Sequence, residues 1–128
     1  MTDQPRRMEH GLLTIRSARQ GDGHLVTLNG EMDGWNARTL DDELIRLGND
    51  GGVEIVLDLS QLEFIDSTGL AVIVRAHGRA TNDSHVLRVV PPQGQVARAF
   101  ELTGLDKALS FVDLIGKAEA VEAGGPRE

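Results

Sequence analysis

The sequence predicts an α/β fold, a sheet of about five strands flanked by about four helices in the order ββαβαβαβα. Three observations predict it. Residues 53–59 (Val-Glu-Ile-Val-Leu-Asp-Leu) are β-branched and nearly all apolar, as in a strand covered on both faces. Strand-like runs alternate with segments of helical period along the rest of the chain. The length of 128 residues suits one domain with one core.

The elements follow in order. Residues 1–11 carry Pro5, Arg6 and Arg7 without hydrophobic period and read as a flexible leader to a single domain over 12–123. Residues 12–16 form a short strand. Gly21-Asp22-Gly23 is a turn signal before a second strand over 24–29, and the two strands read as a hairpin with a longish loop. Residues 34–49 shift to helical period, with Ala37, Leu40, Leu44 and Leu47 on one face. Asp41, Asp42 and Glu43 read as its solvated side, and Asp50-Gly51-Gly52 ends it.

After the strand at 53–59, residues 61–64 read as a short bridge to Asp66-Ser67-Thr68-Gly69-Leu70. Ala71 to Val74 has strand propensity. The Asp-Ser-Thr start signal, the continuation through Arg75, Ala76, Arg79 and Ala80, and the need for a crossover favour a helix. A strand over 85–90 stops at Pro91-Pro92. A helix over 93–103, with Val96, Ala99 and Phe100 inward, is capped by Gly104. A last strand over 108–112, a helix over 113–123 and a frayed tail over 124–128 complete the reading.

Composition narrows the function. With no cysteine, disulfides and thiolate metal sites are excluded. A net charge of −7 and 3% aromatic residues argue against nucleic acid as a partner. No apolar run approaches the roughly 20 residues that span a bilayer, so a cytoplasmic protein without a membrane partner is expected. His10, His24, His77 and His85 lack metal-ligand spacing, and neither a phosphate-binding Gly-Lys loop nor a dinucleotide fingerprint is present. No metal or cofactor is expected.

The chemistry concentrates at Leu57-Asp58-Leu59-Ser60 through Ile65-Asp66-Ser67-Thr68-Gly69-Leu70. A buried strand ends there and a helix opens at Ser67. Helix N-termini present unpaired N–H groups and the positive end of the macrodipole. A hydroxyl there can accept a phosphoryl group, and the same N–H groups stabilise the product. Gly69 leaves the backbone open to close approach. The plainer alternative is that Asp66, Ser67 or Thr68 only caps the helix.

This segment resembles the signature of bacterial anti-sigma factor antagonists, the anti-anti-sigma factors that carry a STAS domain. Gly30-Glu31-Met32-Asp33 resembles the family's Gly-Glu-hydrophobic-Asp stretch, and the following helix carries Ala37 and Leu40. Residues 96–105 (Val-Ala-Arg-Ala-Phe-Glu-Leu-Thr-Gly-Leu) resemble its last helix and Gly-Leu exit. The resemblance spans about residues 12–112. It implies a STAS-like mixed sheet and a phosphoacceptor at Ser67. It further implies an ATP-bearing anti-sigma factor serine kinase as partner, released on phosphorylation, and a metal-dependent serine phosphatase for reset. The chain itself is then no enzyme. Thr68 stands where many members have a second serine, and Pro91-Pro92 is unusual.

Around Ser67, the expected fold places Glu31, Asp33, Asp66, Thr68, Gly69 and Leu70 as supporting or partner-binding residues, with Asp66 shaping the turn before the helix. Asp33 either orients the site or caps the first helix. Glu31 reads as a surface contact or a solvated side chain, and Trp35 as packing, with a partner anchor as its alternative. Three rivals remain. One is a STAS scaffolding module that is never phosphorylated. Another is a receiver-like domain phosphorylated on Asp58, against which no acidic pair follows the first strand and Lys107 precedes the last. The third is a small-molecule-binding domain of similar fold.

Overall fold

The computed structural model describes residues 4–50 and 54–111. Five strands form one sheet in sequential order: β1 (Arg6–His10), β2 (Leu13–Gln20), β3 (Gly23–Met32), β4 (Glu54–Ile65) and β5 (Val86–Val90). The pairs β1–β2 and β2–β3 are antiparallel, whereas β3–β4 and β4–β5 are parallel. The sheet is therefore mixed. Its two parallel pairs require crossovers, which α1 (Ala37–Gly48) and α2 (Ser67–Asn82) supply. α3 (Gly94–Thr103) and the single turn α4 (Leu105–Ala108) follow β5.

Class and element count agree with the sequence reading, but several elements lie elsewhere. Part of the expected leader is β1. Its residues pair with β2 from Arg6↔Ser17 to His10↔Leu13, and Met8 packs against the core. An edge strand with polar residues on its open side carries no apolar alternation to announce it. The β2–β3 connection is a tight turn, with Gln20 in register with Gly23, rather than a long loop.

Residues 61–64 do not bridge out of the sheet. They extend β4, whose pairing with β3 continues through two register shifts to Met32↔Ile65. The expected strand over 108–112 reduces, among the described residues, to one parallel bridge, Val89↔Phe111. The helix expected over 113–123 and the tail lie outside the described residues.

The core follows the period of each element. Leu13 and Ile15, then Val26 and Leu28, then Ile55, Leu57 and Leu59 are buried along β2, β3 and β4. Leu40, Leu44 and Leu47 of α1 and Val72, Ile73, Ala76 and Ala80 of α2 close over them, as do Val96 and Phe100 of α3. Glu43 corrects the expected solvated face of α1. Only 3% exposed, it is held by Arg46 Nε at 3.0 Å and Nη2 at 2.8 Å, with Arg6 at 3.5 Å. Asp41 is likewise half-buried, paired with Arg75 and Arg79 of α2. Gly104 ends α3 in the left-handed conformation at φ 81°, as its residue type predicts.

Candidate functional site

The ends of β3 and β4 meet the start of α2, and Asp66 organises the junction. Its backbone is extended, with φ −106° and ψ −175°, as an N-cap requires. Its Oδ1 accepts from Gly69 N–H at 3.1 Å. Its Oδ2 accepts from Gly34 N–H, also at 3.1 Å, and its own N–H donates to the Met32 carbonyl at 3.2 Å. One carboxylate thus caps α2 and ties it to the loop after β3.

Ser67 is the first residue of α2, and both it and Thr68 are exposed. Thr68 Oγ1 lies 3.6 Å from where a Cβ on Gly34 would stand, so the β3–α1 loop crosses close beside the helix start. Gly69 corrects the sequence reading. It is buried, and a Cβ there would lie 2.8 Å from Ile65 Cγ1 and 3.1 Å from Met32 Cε. Its missing side chain seats the first turn on the core rather than opening the backbone to a visitor. Leu70 is half-buried against the core, and its N–H bonds the Asp66 carbonyl at 3.0 Å.

Asp33 is not the cap of α1, whose N-cap is Asn36, and its side chain instead holds the turn that leads into the helix. Its Oδ1 accepts from Trp35 N–H at 2.9 Å and Asn36 N–H at 3.3 Å, shaping the turn into α1. Buried Asn36 locks that turn, its Nδ2 donating to the carbonyls of His10 at 3.2 Å and Glu31 at 3.0 Å. Glu31 is half-buried, and its N–H reaches the Leu12 carbonyl at 3.0 Å. That approach requires Gly30, which has φ +99° and whose Cβ would fall 1.9 Å from the Leu12 oxygen. The packing role expected for Trp35 is overturned, since the side chain is 72% exposed.

Asp58 sits apart from this end. It is 6% exposed, and its Oδ1 accepts from both Ser60 N–H at 2.9 Å and Ser60 Oγ at 2.7 Å. It pairs with Thr27 just before the first register shift between β3 and β4. A carboxylate so shielded and occupied is a poor phosphoacceptor. Among the described residues no cluster of His, Asp and Glu could hold a metal, and no helix is long and apolar enough to cross a membrane.

A STAS domain model matches residues 16–118, which include every residue of the Asp66 junction. The chain belongs to the STAS domain family. Among its relatives, the anti-sigma-B factor antagonist of Staphylococcus aureus is 28% identical over 93 residues, covering 73% of this chain and 86% of that protein. A crystal structure of an anti-sigma factor antagonist from Mycobacterium paratuberculosis superimposes with a TM-score of 0.73 at 25% identity, over 85% of this chain and 92% of that one. The Bacillus cell fate determinant SpoIIAA in its phosphorylated form shares the fold, with a TM-score of 0.63 at 16% identity over 87% of this chain and 99% of that one. The STAS fold thus frames an exposed Ser-Thr pair on a turn held from both sides by Asp66. Gly34 is a part of this junction that the motifs missed, and exposed Trp35 follows it. The contact from Asp66 to Gly34 spans 32 residues, so no local pattern announces it.

Proposed function

We propose that this STAS domain is a cytoplasmic anti-sigma factor antagonist that works by partner switching, with Ser67 as its switch. In the unphosphorylated form it binds an anti-sigma factor that is itself an ATP-bearing serine kinase, and so releases the sigma factor. Transfer of the ATP γ-phosphoryl group to Ser67 Oγ, with loss of the hydroxyl proton and release of ADP, ends that binding. A serine phosphatase hydrolyses the phosphoester and resets the chain. The protein is the substrate of this cycle, not its catalyst.

The observation that carries this reading is the exposed Ser67 hydroxyl at the first residue of a 16-residue helix, on a turn that Asp66 fixes by two hydrogen bonds. Such a hydroxyl is accessible to a kinase and positioned rigidly. The phosphate would meet the N-terminal end of α2, whose dipole favours an anion. It would add about 1.5–2 negative charges at neutral pH. One like-charge contact at 4 Å costs about 4 kcal/mol at an effective dielectric near 20. Solvent exposure reduces that, and even about half of it weakens binding more than tenfold. No conformational change is needed for the switch.

The test is incubation with ATP and the anti-sigma factor kinases of the source bacterium, followed by intact-mass measurement and site mapping. A single acid-stable phosphate on Ser67, absent in Ser67→Ala and retained in Thr68→Ala, is expected. No phosphate with tight binding retained would instead make the domain a constitutive scaffold. An acid-labile phosphate would return attention to Asp58.

A further inference from the structure

Trp35 is the chain's one tryptophan, and it stands in solvent beside the candidate phosphosite. It is not loosely held. Its backbone N–H donates to Asp33 Oδ1, and its ring meets His10 edge-on with centroids 5.3 Å apart. Its Cδ1 lies 3.1 Å from where a Cβ on Gly11 would stand. His10 is fixed in turn by a 2.8 Å contact between its Nδ1 and Thr39 Oγ1. An indole braced this way has little conformational entropy left to lose on binding.

Two more large apolar side chains are exposed at the same end. Leu12, next to Gly11, is 68% exposed, with its carbonyl held by Glu31 N–H. Phe64, in register with Glu31, is 38% exposed. The three come from the β1–β2 turn, the β3–α1 loop and the end of β4. Leu12 adjoins Gly11, where Trp35 packs, and Phe64 lies two residues before Asp66 at the end of β4. Glu31, Asp33 and Asp66 stand at the same ends of β3 and β4, and none of these carboxylates is ion-paired with a described residue.

We infer that Leu12, Trp35 and Phe64 are the docking face that selects the partner, with Trp35 as its anchor. The partner is the kinase that phosphorylates Ser67, and it offers an apolar pocket for the indole, rimmed by Lys or Arg that face the three carboxylates. This rests on the function proposed above and adds the residues that choose among related kinases. Buried aromatic anchors surrounded by charged rims dominate the energetics of such interfaces. A second copy of this chain fits less well, because it would bring the same carboxylates face to face on a molecule of net charge −7.

The experiment titrates wild type, Trp35→Ala, Leu12→Ser and Val86→Thr against each purified anti-sigma factor kinase of the source bacterium. Val86 is an exposed apolar residue at the opposite, starting end of the parallel strands, and serves as the control. For the kinase that phosphorylates Ser67, Trp35→Ala should weaken binding at least tenfold, Leu12→Ser less, and Val86→Thr not at all. The melting temperature of Trp35→Ala should fall only slightly and stay well above the assay temperature, since the ring packs on His10 and Gly11 at the surface and not in the core. In wild type labelled with 5-fluorotryptophan, the single fluorine resonance should shift on adding that kinase. Full affinity of Trp35→Ala where wild type binds overturns the docking face alone. Dimerisation of the free chain that Trp35→Ala abolishes also overturns it, in favour of a second copy. Wild type that binds none of the kinases overturns the proposed function, and the docking face with it.

Discussion

Replacing Asp66 tests how the turn before Ser67 is built. Asp66→Ala removes two hydrogen bonds at once, the cap on Gly69 N–H and the tie to Gly34 N–H. Loss of an N-cap side chain costs about 1 kcal/mol. The second bond has a charged acceptor but an exposed donor, which water can satisfy in part, so it contributes about 1 kcal/mol. The sum is about 2 kcal/mol. For a domain of this size that lowers the melting temperature by roughly 8 °C. Asp66→Asn keeps an amide oxygen to cap Gly69 but puts an NH2 group opposite the Gly34 N–H. It should cost about half as much. Thermal melts followed by circular dichroism give the two costs, and amide hydrogen exchange separates the two bonds. In Asp66→Asn the Gly34 amide should exchange faster while Gly69 stays protected. In Asp66→Ala both should accelerate. An Asp66→Ala protein that melts with wild type would refute this account. So would an Asp66→Asn protein that matches Asp66→Ala while Gly34 exchange is unchanged.

Other perturbations probe the surrounding frame. Gly30→Ala forces a Cβ to 1.9 Å from the Leu12 carbonyl at φ +99°, and strain plus clash should cost about 3 kcal/mol in a denaturant titration. Burial, reinforced by the Arg19 charge and only partly opposed by Asp50, holds the His24 imidazole below its ordinary pKa of 6.5. The unfolded chain therefore takes up this proton first. Stability should be full above that value and fall as pH drops from it towards the folded-state pKa, a slope that His24→Gln flattens in pH-resolved melts. At Glu43, burial pushes the carboxyl up, but the Arg46 guanidinium, the Ser17 hydroxyl and the Arg6 charge outweigh it and hold it below 4.5. Its contribution is present above that pH and lost as pH falls through the folded-state value. Glu43→Gln should be destabilised by about 1–2 kcal/mol at neutral pH and show a shallower loss in acid melts.

What was legible in the sequence was local. The Asp-Ser-Thr start of α2 could be read because capping acts within one helical turn. With the continuation to Ala80 and the need for a crossover, it outweighed the strand propensity of Ala71 to Val74. Gly104 was legible for the same reason. The features that escaped depend on partners distant in the chain. β1 is an edge strand whose order comes from pairing with β2, and its own residues carry no apolar alternation. Glu43 looked solvated because the groups that compensate its burial come from β1, β2 and the next turn of α1. Gly69 looked like an open backbone until Met32 and Ile65 were found against it. The extension of β4 past Ser60 depends on bulges that absorb the mismatch with β3. The Asp66–Gly34 tie and the exposure of Trp35 emerge only when the ends of β3 and β4 come together.

The central claim is that one phosphate on Ser67 turns partner binding off. Its most direct test is calorimetric titration of the kinase that modifies Ser67 with two preparations of this chain, one unphosphorylated and one fully phosphorylated on Ser67. The account predicts tight binding of the first and at least tenfold weaker binding of the second, with Ser67→Ala binding as the unphosphorylated form does. Equal affinity of the two preparations would contradict it.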